Sequence, residues 1–133
     1  MLVAEALFCL ALNVYHEAKN QSLIGQIAVA QVVMNRVEDE RYPNTVCEVV
    51  EQGPTYSWKP DYPVKNRCQF SWYCDGKSDV PKDLDAWEQS MLVAHGVYHG
   101  NLDDFVEGAT HYHAHYVLPS WASTKTYITR IED

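Results

Sequence analysis

LVAEALFCLALNVYHEAK (residues 2–19), NQS (20–22) and LIGQIAVAQVVMNRVED (23–39) read as two helices joined by a tight break. In the first, Val3, Leu7, Leu10 and Val14 recur at spacings of four, three and four, and Ala6, Ala11 and Ala18 widen that stripe. Asn20-Gln21-Ser22 closes the helix, and Ser22 is a suitable cap for the next. The second stretch is apolar nearly all round, from Leu23 through Val37. Its β-branched content also suits a strand, but its length and its alanines favour a buried central helix.

Working outward, Tyr42-Pro43-Asn44-Thr45 is a break followed by a cap, and residues 46–52 form a short helix. From Gly53 to about Asp83, prolines and glycine interrupt a segment loaded with Tyr56, Trp58, Tyr62, Phe70, Trp72 and Tyr73. This reads as a long aromatic loop, the kind that carries function. Helix returns over 84–98, with Ala86, Trp87, Met91, Ala94 and Val97 on its inner face, and His99-Gly100-Asn101 stops it. Beyond Asp104 the chain is rich in aromatic residues and histidines.

The expected fold is therefore α+β and predominantly α-helical: one domain spanning residues 1–133, with a long aromatic-rich loop. A chain of 133 residues with 47% hydrophobic and 21% charged residues supports a core without staples and excludes a disordered or fibrous protein. The net charge of −8 argues against nucleic acid as a partner, because such binding relies on Lys and Arg to neutralise phosphates. No apolar run reaches the roughly 18 to 20 residues of a membrane helix, so no membrane insertion is expected. The apolar run 6–12 lacks the preceding cation and following cleavage pattern of an export signal and reads as buried helix.

Cys9 and Cys47 lie in apolar runs, where cysteine is usually a small reduced hydrophobe. Cys68 and Cys74 flank a loop and are the one pair placed to bridge in an oxidising compartment, so at least two free thiols are expected. A zinc site built from these two and His111, His113 and His115 has poor ligand spacing, and no metal or other cofactor is expected.

The residue at odds with this pattern is Glu17. Three positions beyond Val14, it falls within about 40° of the apolar stripe's centre, whereas Glu5 faces away. Carboxylates seldom face a core unless paired or working. A carboxyl surrounded by apolar groups holds its proton to higher pH, which suits a glycosidase's general acid. The bland alternative is a helix-end Glu that escapes to solvent or pairs with Arg36 or Lys19. The aromatic and neutral hydrogen-bonding residues of the neighbouring segments match sugars, whose CH faces meet rings and whose hydroxyls meet Gln, Asn, Ser and Tyr.

Three blocks then carry a resemblance: residues 11–18 (ALNVYHEA), 25–37 (GQIAVAQVVMNRV) and 42–50 (YPNTVCEVV). With 68–72 (CQFSW), 108–114 (GATHYHA) and 119–121 (PSW), they resemble, in order, the SleB-like cell wall hydrolases, which include spore cortex-lytic enzymes and some phage lysins. The resemblance implies a lysozyme-like domain that cleaves the MurNAc–GlcNAc bond of peptidoglycan, with Glu17 as catalytic residue, in the manner of a lytic transglycosylase. The segment 54–67 is longer and more aromatic than the family's pattern.

Gln69 and Ser71 can hydrogen-bond a sugar N-acetyl group, with Trp72 beside them; the alternative is that these residues anchor the loop. Tyr112 and His113 can orient Glu17 or stabilise developing positive charge. Asn35 and Arg36 read as ties between the second helix and its neighbours. Asp75, Asp104, Glu107 and Glu48 are available as a second carboxylate but read as solvated surface charges.

The expected partner is the peptidoglycan glycan strand, met by a monomer. The location would be host cytoplasm and then wall for a phage lysin, or the cell envelope for an exported enzyme. The competing readings are a hydrolytic muramidase with a second carboxylate, and a catalytically silent peptidoglycan-binding module.

Overall fold

A computed structural model describes residues 3–111. Its elements, in chain order, are α1 (Val3–Ala18), α2 (Leu23–Glu38), α3 (Val46–Val50), β1 (Thr55–Tyr56), β2 (Lys59–Pro63), a 3₁₀ turn (Ser71–Cys74) and α4 (Leu84–Tyr98). The fold is predominantly helical with one small sheet, as expected. None of the described helices is long and apolar enough to cross a membrane.

α2, α3 and α4 each start where a short polar side chain can satisfy an orphan amide. Ser22 accepts from the Gly25 amide, Thr45 from Glu48 and Asp83 from Ala86. Gly100, at φ 70°, takes the left-handed conformation that ends α4. α1, α2 and α4 pack on one another, and α3 lies against α1 and α2. Leu10 and Val14 of α1, Val29, Val32 and Val33 of α2, and Val49 and Val50 of α3 are fully buried at the centre. The inner face of α4 is Ser90, Val93, Ala94 and Val97, whereas Met91, expected there, is 44% exposed. Ser90 fits inside because its hydroxyl donates to the Ala86 carbonyl one turn earlier.

Two expectations are corrected. Cys9 and Cys47, expected as reduced thiols, are joined by a disulfide with Cα atoms 5.2 Å apart, whereas the Cys68–Cys74 bridge is the pair that the sequence allowed. The four cysteines leave no free thiol. Cys9 and Cys47 do occupy apolar helix positions, but α1 and α3 pack together and bring the two side chains face to face. Spacing along the chain cannot show which helices touch.

The second correction lies within the aromatic loop, where β1 and β2 form an antiparallel hairpin around the two-residue turn Ser57-Trp58. Pro60 and Pro63 argued against a strand, yet a two-stranded ribbon has only edges, and proline is tolerated there. The hairpin's foot is stitched by the Val64 amide to the Pro54 carbonyl, Asn66 to Cys74, and Gln69 to Gln52. At its neck the chains approach so closely that a Cβ on Gly53 would lie 2.9 Å from the Cys68 Cα.

Candidate active site

The last turns of α1 organise the site. Asn13, four residues before Glu17 and on the same helical face, is fully buried, and its Oδ1 accepts from Trp72 Nε1 at 2.9 Å. The His16 ring stacks on Trp72 with centroids 4.7 Å apart and planes 18° from parallel. His16 Nε2 lies 2.9 Å from the Asp79 carbonyl oxygen. A carbonyl only accepts, so Nε2 carries the proton in this contact. The Tyr15 hydroxyl accepts from the amides of Asp83 and Lys82, at 3.0 and 3.1 Å. The Asp83 amide is the main reason the phenol lies below its ordinary pKa, against an opposing push from burial. Three neighbours on α1 therefore fasten residues 72–83 as a wall beside the turn that carries Glu17. Glu17 itself is half-buried, between the core positions Val14 and Ala18.

The wall brings further ionisable groups together. The Asp79 carboxyl is pushed above its ordinary pKa, chiefly by burial, with His16 opposing and Asp75 adding to the shift. Tyr73 is also raised, by burial first and then by the fields of Glu51 and Asp79. Glu51 is raised by burial and by Glu48. Sequence reasoning missed Asp79: Gly76-Lys77-Ser78-Asp79 reads as a polar turn, and only the His16 contact shows where it sits.

Of the residues singled out from sequence, Trp72 reaches α1, where it is 8% exposed with its N–H committed to Asn13. Gln69 and Ser71 are exposed on the strip leading into the 3₁₀ turn, and the Gln69 amide is tied to Gln52. Tyr112 and His113 lie outside the described residues. The four alternative carboxylates are placed at turns and caps: Asp75 accepts from the Lys77 amide, Asp104 from Val106 and Glu107, and Glu48 from the Thr45 hydroxyl. Glu107 is exposed at φ 51°.

Polar side chains of α2 position the segment that leads into Tyr112. Gln31 donates to the Asp103 carbonyl and accepts from the Phe105 amide, Asn35 donates to Ala109, and Arg36 Nε donates to Thr110. Arg36 is buried with its guanidinium over Tyr42 and Phe70, so Asn35 and Arg36 are the interelement ties that the sequence suggested.

No cluster of three or more metal-ligating side chains occurs among the described residues. The zinc reading also loses its thiolates, since both Cys68 and Cys74 are oxidised. Two cavities, of about 380 and 330 Å³, lie at the other end of α1, against Ala6, Met34, Val46 and Tyr98 and against Leu7, Phe8, Met91 and His95. At 1.5 Å per residue, Phe8 and Glu17 are about 14 Å apart along the axis, and neither cavity is lined by a carboxylate. The titratable cluster at the end of α1, rather than either cavity, is the chemically equipped place.

Residues 20–133 match the family described as cell wall hydrolase. Two spore cortex-lytic enzyme sequences of Bacillus cereus are each 46% identical to this chain over 37 residues. That stretch is 28% of this chain and 14% of those proteins, so the likeness covers a small part of their length. No solved structure matches significantly. The family match begins three residues past Glu17, so Glu17 is singled out by helix geometry and its surroundings rather than by that match. Most of the described fold, including the wall that faces the end of α1, falls within the matched range, and the chain belongs to the cell wall hydrolase family.

Proposed function

We propose that this domain cleaves the MurNAc–GlcNAc glycosidic bond of peptidoglycan as a lytic transglycosylase, with Glu17 as general acid and then general base. The observation that carries the reading is a half-buried carboxylate at the end of α1, beside a wall fastened through Asn13, Tyr15 and His16. Membership of the cell wall hydrolase family and the partial likeness to spore cortex-lytic enzymes support peptidoglycan as the substrate.

In the proposed reaction the Glu17 carboxyl donates its proton to the glycosidic oxygen, and the bond from that oxygen to C1 of MurNAc breaks. The resulting carboxylate takes the proton from the C6 hydroxyl of the same sugar, whose oxygen bonds to C1 and closes a 1,6-anhydro ring. Glu17 ends protonated, as it began, and no water is consumed. Intramolecular attack gains the proximity that a separate water lacks, which relaxes the need for a second carboxylate. Gln69 and Ser71, exposed at the edge of the wall, are the proposed contacts to the N-acetyl group, and Tyr112 and His113 are proposed to orient Glu17 or stabilise the developing positive charge. Trp72, nearly enclosed, serves the substrate by shaping the wall.

A hydrolytic muramidase needs a second carboxylate, and Asp79 is the one that favours this alternative: its backbone carbonyl is tied to His16 on α1, and burial holds its carboxyl above the ordinary pKa. The products decide. Anhydro ends that are one water lighter support the transglycosylase, whereas reducing ends whose formation stops in Asp79→Asn would establish the muramidase.

A further inference from the structure

The hairpin formed by β1 and β2 plays no part in the chemistry above, yet it presents the most exposed aromatic surface among the described residues. Trp58, at its tip, is 74% exposed and Tyr62 is 53% exposed. Tyr56 lies beside Trp58 with ring centroids 5.3 Å apart. Lys59 bridges the group, its Nζ 4.0 Å from the Tyr62 centroid and 5.9 Å from that of Trp58. Large exposed rings are costly to leave in water without a partner, and contiguous ones mark interaction sites. Charge adds a second, independent observation. Residues 54–67 carry Lys59, Lys65 and Arg67 against Asp61 alone, a local excess of two positive charges in a chain of net −8.

We infer that this hairpin is a second carbohydrate-binding element, which holds the peptidoglycan strand outside the cleavage site. The inference rests on the proposed action on peptidoglycan. The rings offer flat faces for the CH surfaces of sugar rings, and Lys59, Lys65 and Arg67 meet the carboxylates of the lactyl-linked stem peptides. The foot of the hairpin is bonded to the 68–74 segment that runs into the site's wall, through Asn66 to Cys74 and Gln69 to Gln52. A strand gripped at the hairpin is thereby held next to α1. Trp and Tyr beside Lys also suit a membrane surface, but the strands and turn of the hairpin, residues 55–63, carry no Leu, Ile, Val or Met to insert.

The test is co-sedimentation, which reads binding whether or not cleavage occurs. Parent, Trp58→Ala/Tyr62→Ala and a control, Leu92→Ser on exposed α4, are mixed in the cold with insoluble peptidoglycan sacculi. Parallel samples receive vesicles of equimolar phosphatidylglycerol and phosphatidylethanolamine. The expected result is retention of parent and control on sacculi, at least about tenfold weaker retention of the hairpin variant, and an unchanged far-ultraviolet spectrum. Equal retention of the hairpin variant on sacculi, or hairpin-dependent retention on vesicles in place of sacculi, overturns the inference. A folded parent that binds through the hairpin but never releases fragments would leave this inference standing and sink the proposed activity. Cleavage with hairpin-independent binding would do the reverse.

Discussion

Trp72→Phe is the most informative single change to the wall of the site. Trp72 Nε1 donates to Asn13 Oδ1 in a fully buried setting, and among the described residues Asn13 Nδ2 has no partner. Phenylalanine keeps a ring against His16 but removes the donor and leaves both ends of the Asn13 amide unsatisfied. An orphaned buried acceptor costs about 1–3 kcal/mol, and the smaller ring adds about 1 kcal/mol of lost packing. The expected loss is about 2–4 kcal/mol, which for a chain of this size is a fall in Tm of roughly 7 to 14 °C. Thermal melts followed by circular dichroism measure it. A double-mutant cycle with Asn13→Ala isolates the hydrogen bond. Once Asn13 is gone the indole N–H is itself orphaned, so Trp72→Phe should cost about 1–3 kcal/mol less in that background. A melt within about 1 °C of the parent, or strictly additive losses, would refute the account of how the wall is held.

Replacing Cys9 and Cys47 together by alanine should lower stability by about 4 kcal/mol, the chain-entropy value for a bridge of this span, and urea titration reads it. Thiol titration of unfolded, unreduced protein should find no free group, and two or more would contradict the pairing. Gly53→Ala should destabilise by about 1–3 kcal/mol, because the new methyl collides with the Cys68 backbone; a neutral result would show that the hairpin neck has room. Asp79 has a folded pKa above its ordinary value of 3.8, so ionising it costs stability as pH rises from there through the folded value. Asp79→Asn should remove that decline from a plot of Tm against pH, and a variant that loses more stability than the parent at neutral pH would reverse the assigned sign.

The helices were legible because their amphipathic signal is local. Leu10 and Val14 of the predicted stripe lie on the buried face of α1, with Leu7 half-buried and Val3, in the first turn, exposed, and Ser22 starts α2 where its side chain can cap. Glu17 could be singled out for the same reason: a charge on an apolar stripe breaks a pattern that one helix displays by itself. What escaped depends on contacts between distant segments. The Cys9–Cys47 bridge spans 38 residues, and the wall is fixed by pairs such as Asn13–Trp72 and His16–Asp79, 59 and 63 apart. The hairpin was hidden by Pro60 and Pro63, whose usual meaning in a strand fails in a ribbon that is all edge. Asp79 lacked any signal, since a turn aspartate looks the same whether solvated or set against a histidine.

Mass spectrometry of fragments released from purified peptidoglycan tests the central claim most directly, with parent and Glu17→Gln run side by side. The amide keeps the shape of the side chain but cannot deliver a proton, and losing a general acid typically costs about 10² to 10⁴ in rate. The predicted result is 1,6-anhydro-muramyl ends from the parent and no such ends, or a trace, from a variant that melts as a folded protein. Fragments with the same ends released at the parental rate by Glu17→Gln would contradict the assignment of the acid and the mechanism built on it.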